Sequence, residues 1–170
     1  MTTKEVIKAT DIACLFCLCV AAAYGLMIYP DLPDKIPIHF NGKGEPDKWG
    51  SKPSIWFLYG VVVFTYLVMK FSVKFTANSK PETLRKWNTG YKGMTNDQIK
   101  KYAIATGQEM SYFNLLIVCT LCVMFYNTVR VALGQATDIG SWMLPVVILI
   151  GTLTLTIRLV MLKKKVTSDE

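Results

Sequence analysis

Four stretches of this chain contain no Asp, Glu, Lys or Arg: residues 12–30, 53–69, 110–129 and 139–157. All 19 basic and 12 acidic residues are confined to what lies between and around them. A helix needs about 20 mainly apolar residues to cross a bilayer core, so each window is close to one crossing. With 52% hydrophobic and only 18% charged residues in 170, the pattern excludes a soluble globular domain, a disordered chain and a disulfide-stapled secreted module. The expectation is an all-α membrane protein, a four-helix transmembrane bundle with a Pro-rich cap loop on the extracytoplasmic side.

The distribution of basic residues sets an orientation. Four spans put the head, the middle loop and the tail on one side, which gathers fourteen basic residues against five on the other. The positive-inside rule makes that richer side cytoplasmic, with both termini inside. The spans are expected in a membrane whose inner face is cytoplasmic. One membrane domain over residues 1–170 is expected, with spans at about 11–29, 54–73, 104–131 and 142–162. They are joined by an outer loop 30–53, an inner basic loop 74–103 and an outer loop 132–141, and followed by an inner tail 163–170. A net charge of +7 would suit nucleic acid, but here it is spread along a membrane edge. Attraction to anionic head groups accounts for it more simply, so the lipid bilayer is the expected partner and nucleic acid is not. Lys4 and Lys8 before the first apolar run resemble a signal peptide's start. The run continues to spanning length, and a retained helix is expected.

The 5 cysteines all lie in the windows. Cys14–Cys17 and Cys119–Cys122 have CxxC spacing, which places each pair on one helical face. Apolar packing is the simpler reading for thiols in such surroundings, and metal or redox chemistry the alternative. Asn114, Asn127, Thr152, Thr154 and Thr156 are polar groups within the spans, suited to hydrogen bonds between helices.

Outside the spans, Pro30, Pro33, Pro37 and Pro46 exclude a continuous helix. Ile36, Ile38 and Phe40 alternate with Pro37 and His39, and Asn41-Gly42 supplies a turn. A compact cap with a short hairpin is expected, its apolar face on the bundle mouth. Trp49 and Trp56 suit an interfacial belt, as do Trp87 and Tyr91 on the other side. Thr95 and Gln98 fit a capping box that starts a helix near Asn96.

The stretch Tyr29-Pro-Asp-Leu-Pro-Asp-Lys-Ile-Pro-Ile-His-Phe-Asn, followed by Gly44-Glu-Pro-Asp-Lys-Trp-Gly-Ser-Lys, resembles the signature of an uncharacterised bacterial membrane domain. That domain of unknown function is found in SdpI-type immunity proteins. Trp87-Asn-Thr-Gly-Tyr91 and residues 95–102 resemble the same family's inner loop. The resemblance covers about 11–121. It implies a location in the bacterial cytoplasmic (inner) membrane, protection against a secreted toxic peptide, and signalling by holding a regulator at the membrane. The residues matching the motif are His39, Asn41, Gly44, Pro46, Asp47, Trp49 and Lys52, with no catalytic role attached to them.

Two constellations are candidates for function. In the outer loop, His39, Asn41, Glu45, Asp47, Trp49 and Lys52 are the candidates for ligand binding. His39 with Asp47 is also a candidate for a metal site; zinc would need a third ligand and an open position. The simpler reading is that His39 hydrogen-bonds Asp47 and holds the cap. At the opposite edge, Asp11, Glu109 and Arg158 approach one membrane depth. Ionisable groups there demand partners, so Arg158 is expected to bridge Asp11 or Glu109. The leading functional reading is a non-enzymatic immunity or receptor protein without a cofactor. Its cap would take an extracytoplasmic ligand, a peptide or a small molecule, and its inner loop would meet lipid or a cytoplasmic protein partner. A membrane enzyme built on His39 and Asp47 is the alternative, and a small oligomeric transporter using Asp11, Glu109 and Arg158 is a third.

Overall fold

The computed structural model describes residues 2–140 and 142–168. Ser141, at the end of the expected second outer loop, and Asp169 and Glu170 of the tail lie outside them. Helix α1 (Thr3–Ile28) passes through a 3₁₀ turn (Tyr29–Asp31) into strands β1 (Lys35–Phe40) and β2 (Pro46–Ser51). Helix α2 (Ser54–Asn78), a short α3 (Pro81–Trp87) and a 3₁₀ turn (Thr89–Tyr91) follow. Helices α4 (Asn96–Ala132) and α5 (Met143–Ser168) complete the chain. α1, α2, α4 and α5 are each long and apolar enough to cross a membrane, and the chain is an integral membrane protein.

Helix starts follow local chemistry. Thr95 Oγ1 accepts from the Gln98 amide at 3.2 Å, and Gln98 Oε1 accepts from the Thr95 amide at 2.9 Å. Both groups would otherwise be orphaned at the helix end. Thr2 and Glu5 close a second box at the start of α1. That one is also written in the sequence, as Thr-x-x-Glu. α4 has 37 residues, roughly 55 Å at 1.5 Å per residue, and so exceeds a hydrocarbon core of about 30 Å.

α4 is the spine. It packs extensively on α1, α2 and α5, whereas α1 and α2 touch each other far less. α1 buries Val6, Thr10, Cys14, Leu18, Ala21 and Gly25. These lie three or four apart and form one narrow stripe. α2 likewise buries Ile55, Val62, Tyr66 and Val73. α4 supplies Phe125, Val129 and Ala132 to a cluster beside the hairpin, and Val118 to a central one. Its projecting start supplies Ile99 and Ala103 to a third, with Leu84, Tyr91 and Met94. Tyr91 is therefore inside a small core, in contrast to the interfacial position expected. The short α3 folds back on the start of α4 and covers it, while Trp87 stays open. Burial, with the Tyr102 ring alongside, pushes the Tyr91 phenol above its usual range.

α5 packs chiefly on α4 and buries only Gly151 among its described residues. A Cβ at Gly151 would come within 2.6 Å of Phe113 Cε2, so the glycine permits this close approach. Small residues at helix contacts serve the same purpose throughout membrane bundles. Thr152 and Thr156 differ from expectation, since each hydroxyl donates to a carbonyl of its own helix, Ile148 and Thr152 respectively. Their side chains are exposed on α5, away from a neighbouring helix, and back-bonding satisfies them there. Asn127 does bond outside its helix, donating from Nδ2 to the Ile139 carbonyl at 3.2 Å.

Candidate functional site

The hairpin is built from alternation and a turn. β1 and β2 pair antiparallel, Ile36 with Gly50, Pro37 with Trp49 and His39 with Lys48, with irregular register on either side of His39. Ile36 is 1% exposed and anchors the sheet into the cluster with Ile55 and Phe125. Asn41 organises the turn. Its Oδ1 accepts from the amides of Lys43 (2.8 Å) and Glu45 (3.1 Å), and its Nδ2 donates to Glu45 Oε2 at 3.0 Å. Gly44 adopts φ 85°, a left-handed conformation open to glycine at little cost. The Gly44 carbonyl accepts from the Ile139 amide at 3.1 Å, tying the turn to the segment before α5. Lys52 clamps the base of the hairpin. Its Nζ donates to the Pro30 carbonyl at 3.0 Å and lies 4.9 Å from the centre of the Tyr29 ring.

Among the six candidates, Asn41, Glu45 and Lys52 thus have their polar groups engaged in holding the cap. His39, Asp47 and Trp49, exposed as Glu45 is, stand outside that turn. His39 Nδ1 and Asp47 Oδ1 are 2.5 Å apart, with side chains 57% and 39% exposed. Trp49 is half exposed. No group of three or more His, Cys, Asp or Glu arranged to hold a metal occurs among the described residues.

Beneath the hairpin, between α2 and α4, lies a cavity of about 490 Å³. Its wall includes Ile36, Phe40, Leu58, Val61 and Met124, with His39 as its ionisable member. Asp47 and Trp49 are not part of that wall.

Residues 16–63 match a family described as Domain of unknown function (DUF1648). The matched stretch takes in much of α1, the entire hairpin and the first turns of α2. Neither curated proteins nor solved structures give a match to this chain.

At the opposite end, Asp11, Glu109 and Arg158 separate into two pairs. Arg158 Nε lies 3.0 Å from Glu109 Oε2, where the carboxylate side chain is only 10% exposed. Asp11 instead accepts from Tyr66 Oη (2.7 Å) and pairs with Lys70 Nζ (2.9 Å). Lys70 also donates to Tyr66 Oη at 2.8 Å. The reason is the spine. α1 and α2 share one side of α4, while Glu109 belongs to the face that meets α5. Sequence reasoning missed Lys70 and Tyr66, although a polar i, i+4 pair at the end of an apolar window was a usable signal.

The two CxxC pairs face each other in mid-helix. Cys17 Sγ is 3.8 Å from Cys119 Sγ, and Cys122 Sγ is 3.8 Å from the Cys17 carbonyl. All five cysteines are free thiols.

Proposed function

We propose that the chain is a non-enzymatic receptor of immunity type that takes an amphipathic ligand, a membrane-active peptide, at the hairpin. The observation that carries this reading is the apolar cavity of about 490 Å³ under the hairpin, with His39 on its wall. Ligand sites are concave, mostly apolar and furnished with few polar groups. An apolar side chain of the ligand enters the cavity, and its polar face meets His39, Asp47 and Trp49. The likeness of the hairpin motif to SdpI-type immunity proteins supports a toxic peptide as the ligand. In this reading the hairpin end is extracytoplasmic and both termini are cytoplasmic, in the bacterial inner membrane, on the basic-residue asymmetry. The basic end then meets lipid or a cytoplasmic protein partner.

The test is survival of cells expressing the chain when challenged with a panel of secreted membrane-active peptides. Expression should raise the tolerated dose of at least one. Replacing residues 35–51 by a Gly/Ser linker should remove that protection, and undiminished protection in the swapped chain would overturn the reading.

The close contact of His39 with Asp47 favours a second reading, an acid/base or metal-assisted enzyme at the same place. A stoichiometric metal in the purified protein, lost in His39→Ala, would establish that alternative.

A further inference from the structure

The two CxxC pairs lie on helices that run parallel. Cys17 meets Cys119 with 3.8 Å between the sulfurs, and seven residues further along each helix Tyr24 meets Tyr126 with ring centres 5.2 Å apart. Beside these contacts α1 and α4 form a groove of about 500 Å³. Cys17, Cys119 and Cys122 line it, together with Phe16, Tyr24 and Tyr126. Its walls contain no Asp, Glu, Lys, Arg or His. Phe16 and Val20 on one helix, and Val123 and Tyr126 on the other, are exposed, so the groove opens sideways from the bundle. Cys17 and Cys119 stand inside the charge-free windows 12–30 and 110–129, and the opening faces hydrocarbon.

Two thiols in contact can share a soft metal ion or form a disulfide. A monovalent ion held by two thiolates leaves a net negative charge in the least polar part of the chain, where charge is costly. Zinc needs more ligands, and no group of three His, Cys, Asp or Glu fit for a metal occurs among the described residues. A disulfide is neutral, and its bond of about 2.05 Å is reached by side-chain rotation. The oxidant is constrained in the same way. Charged aqueous oxidants are excluded from hydrocarbon. A peroxide needs a thiolate and an acid for its leaving group, and the groove holds neither a base nor an acid to supply them. A quinone needs neither, because its two carbonyl oxygens take up both thiol protons. Its flat, electron-poor ring also suits the negative faces of Phe16, Tyr24 and Tyr126.

We propose that the groove between α1 and α4 admits a lipid-soluble quinone, which oxidises Cys17 and Cys119 to a disulfide. One of the two sulfurs adds to a quinone carbonyl carbon while its proton passes to the carbonyl oxygen. The other sulfur then attacks the first, forming the S–S bond and breaking the S–C bond. The electron pair of the S–C bond enters the ring, and the second thiol proton ends on the other quinone oxygen. Two thiols and one quinone become one disulfide and one hydroquinone, and the new bond pins α1 to the spine. This site is independent of the ligand proposed at the hairpin.

The test uses the full chain carrying Cys14→Ala, Cys19→Ala and Cys122→Ala, reduced, in phosphatidylcholine nanodiscs without oxygen, with decylubiquinone as the oxidant. Each chain should lose two hydrogens by intact mass and yield one hydroquinone by absorbance. Cys17→Ser and Cys119→Ser should each prevent both changes. Val123→Trp fills the groove and leaves both thiols in place. It should suppress the quinone reaction, while diamide, a small permeant oxidant that needs no groove, still forms the bond as fast as in the parent chain. Absence of hydroquinone, whether or not diamide forms the bond, would overturn the proposal. A covalent quinone adduct in place of the lost hydrogens, or undiminished quinone reduction in Val123→Trp, would overturn it as well.

Discussion

His39 Nδ1 meets Asp47 Oδ1 at 2.5 Å across the two strands of the hairpin, and both side chains stand in the open. An exposed pair of this kind contributes about 0–1 kcal/mol to stability, charged or not. Asn41, by contrast, makes three hydrogen bonds that close the turn. Each is worth about 1 kcal/mol net. His39→Ala should therefore leave thermal unfolding in detergent nearly unchanged while reducing peptide protection. Asn41→Ala should lower stability by about 3 kcal/mol on the same reasoning. Tryptophan fluorescence against temperature separates the two.

Glu109 and Arg158 hold α5 to α4 with unequal exposure, and the difference predicts unequal mutants. Removing Arg158 leaves a nearly buried carboxylate alone, which costs more than neutralising it. Arg158→Ala should destabilise by about 2–3 kcal/mol, and Glu109→Gln by less. A double-mutant cycle should return a favourable coupling. Gly151→Leu should act on the same contact, since its first side-chain atom already meets Phe113. Overpacking of that kind costs about 1–3 kcal/mol.

Tyr91 gives the pH dependence. Its folded phenol titrates above the ordinary value of 10.0 because burial opposes the anion. The folded state then holds the proton more tightly than the unfolded one. Its contribution is complete below pH 10 and is lost as pH rises through the folded value. Exposed Trp87, beside that core, is the reporter. Its emission should change above pH 10 in the native chain, and Tyr91→Phe should abolish the Tyr91-dependent part of the change.

Cys17 and Cys119 should cross-link on mild oxidation when Cys14, Cys19 and Cys122 are replaced by alanine. Their sulfurs are 3.8 Å apart, and a bond of about 2.05 Å needs only side-chain adjustment. Loss of two hydrogens by mass spectrometry, within one chain, checks the α1–α4 register.

The helices were legible because charge is excluded from spans of the right length, and the hairpin because Pro37 and His39 alternate with apolar residues ahead of Asn41-Gly42. The Thr95–Gln98 box marked a helix start correctly for the same kind of local reason. Packing faces were not legible. A window apolar on every side carries no amphipathic signal, so the buried stripe of α1 differs from its exposed faces mainly in residue size. The partner of Asp11 was hidden as well, since it depends on which helices adjoin it. Tyr91 appeared interfacial because nothing local announces that α3 folds back over α4. At the candidate site, the residue types pointed to the hairpin, but Asn41 and Lys52 proved to be engaged in its construction.

The most direct measurement places a photoreactive benzoylphenylalanine at Val61, on the wall of the hairpin cavity, and another at Leu149, exposed on α5. Cells are exposed to a biotinylated form of a peptide against which the chain protects. The account predicts labelling from position 61 that excess unlabelled peptide suppresses, with little from position 149. Equal labelling from both positions, or none from position 61, would contradict it.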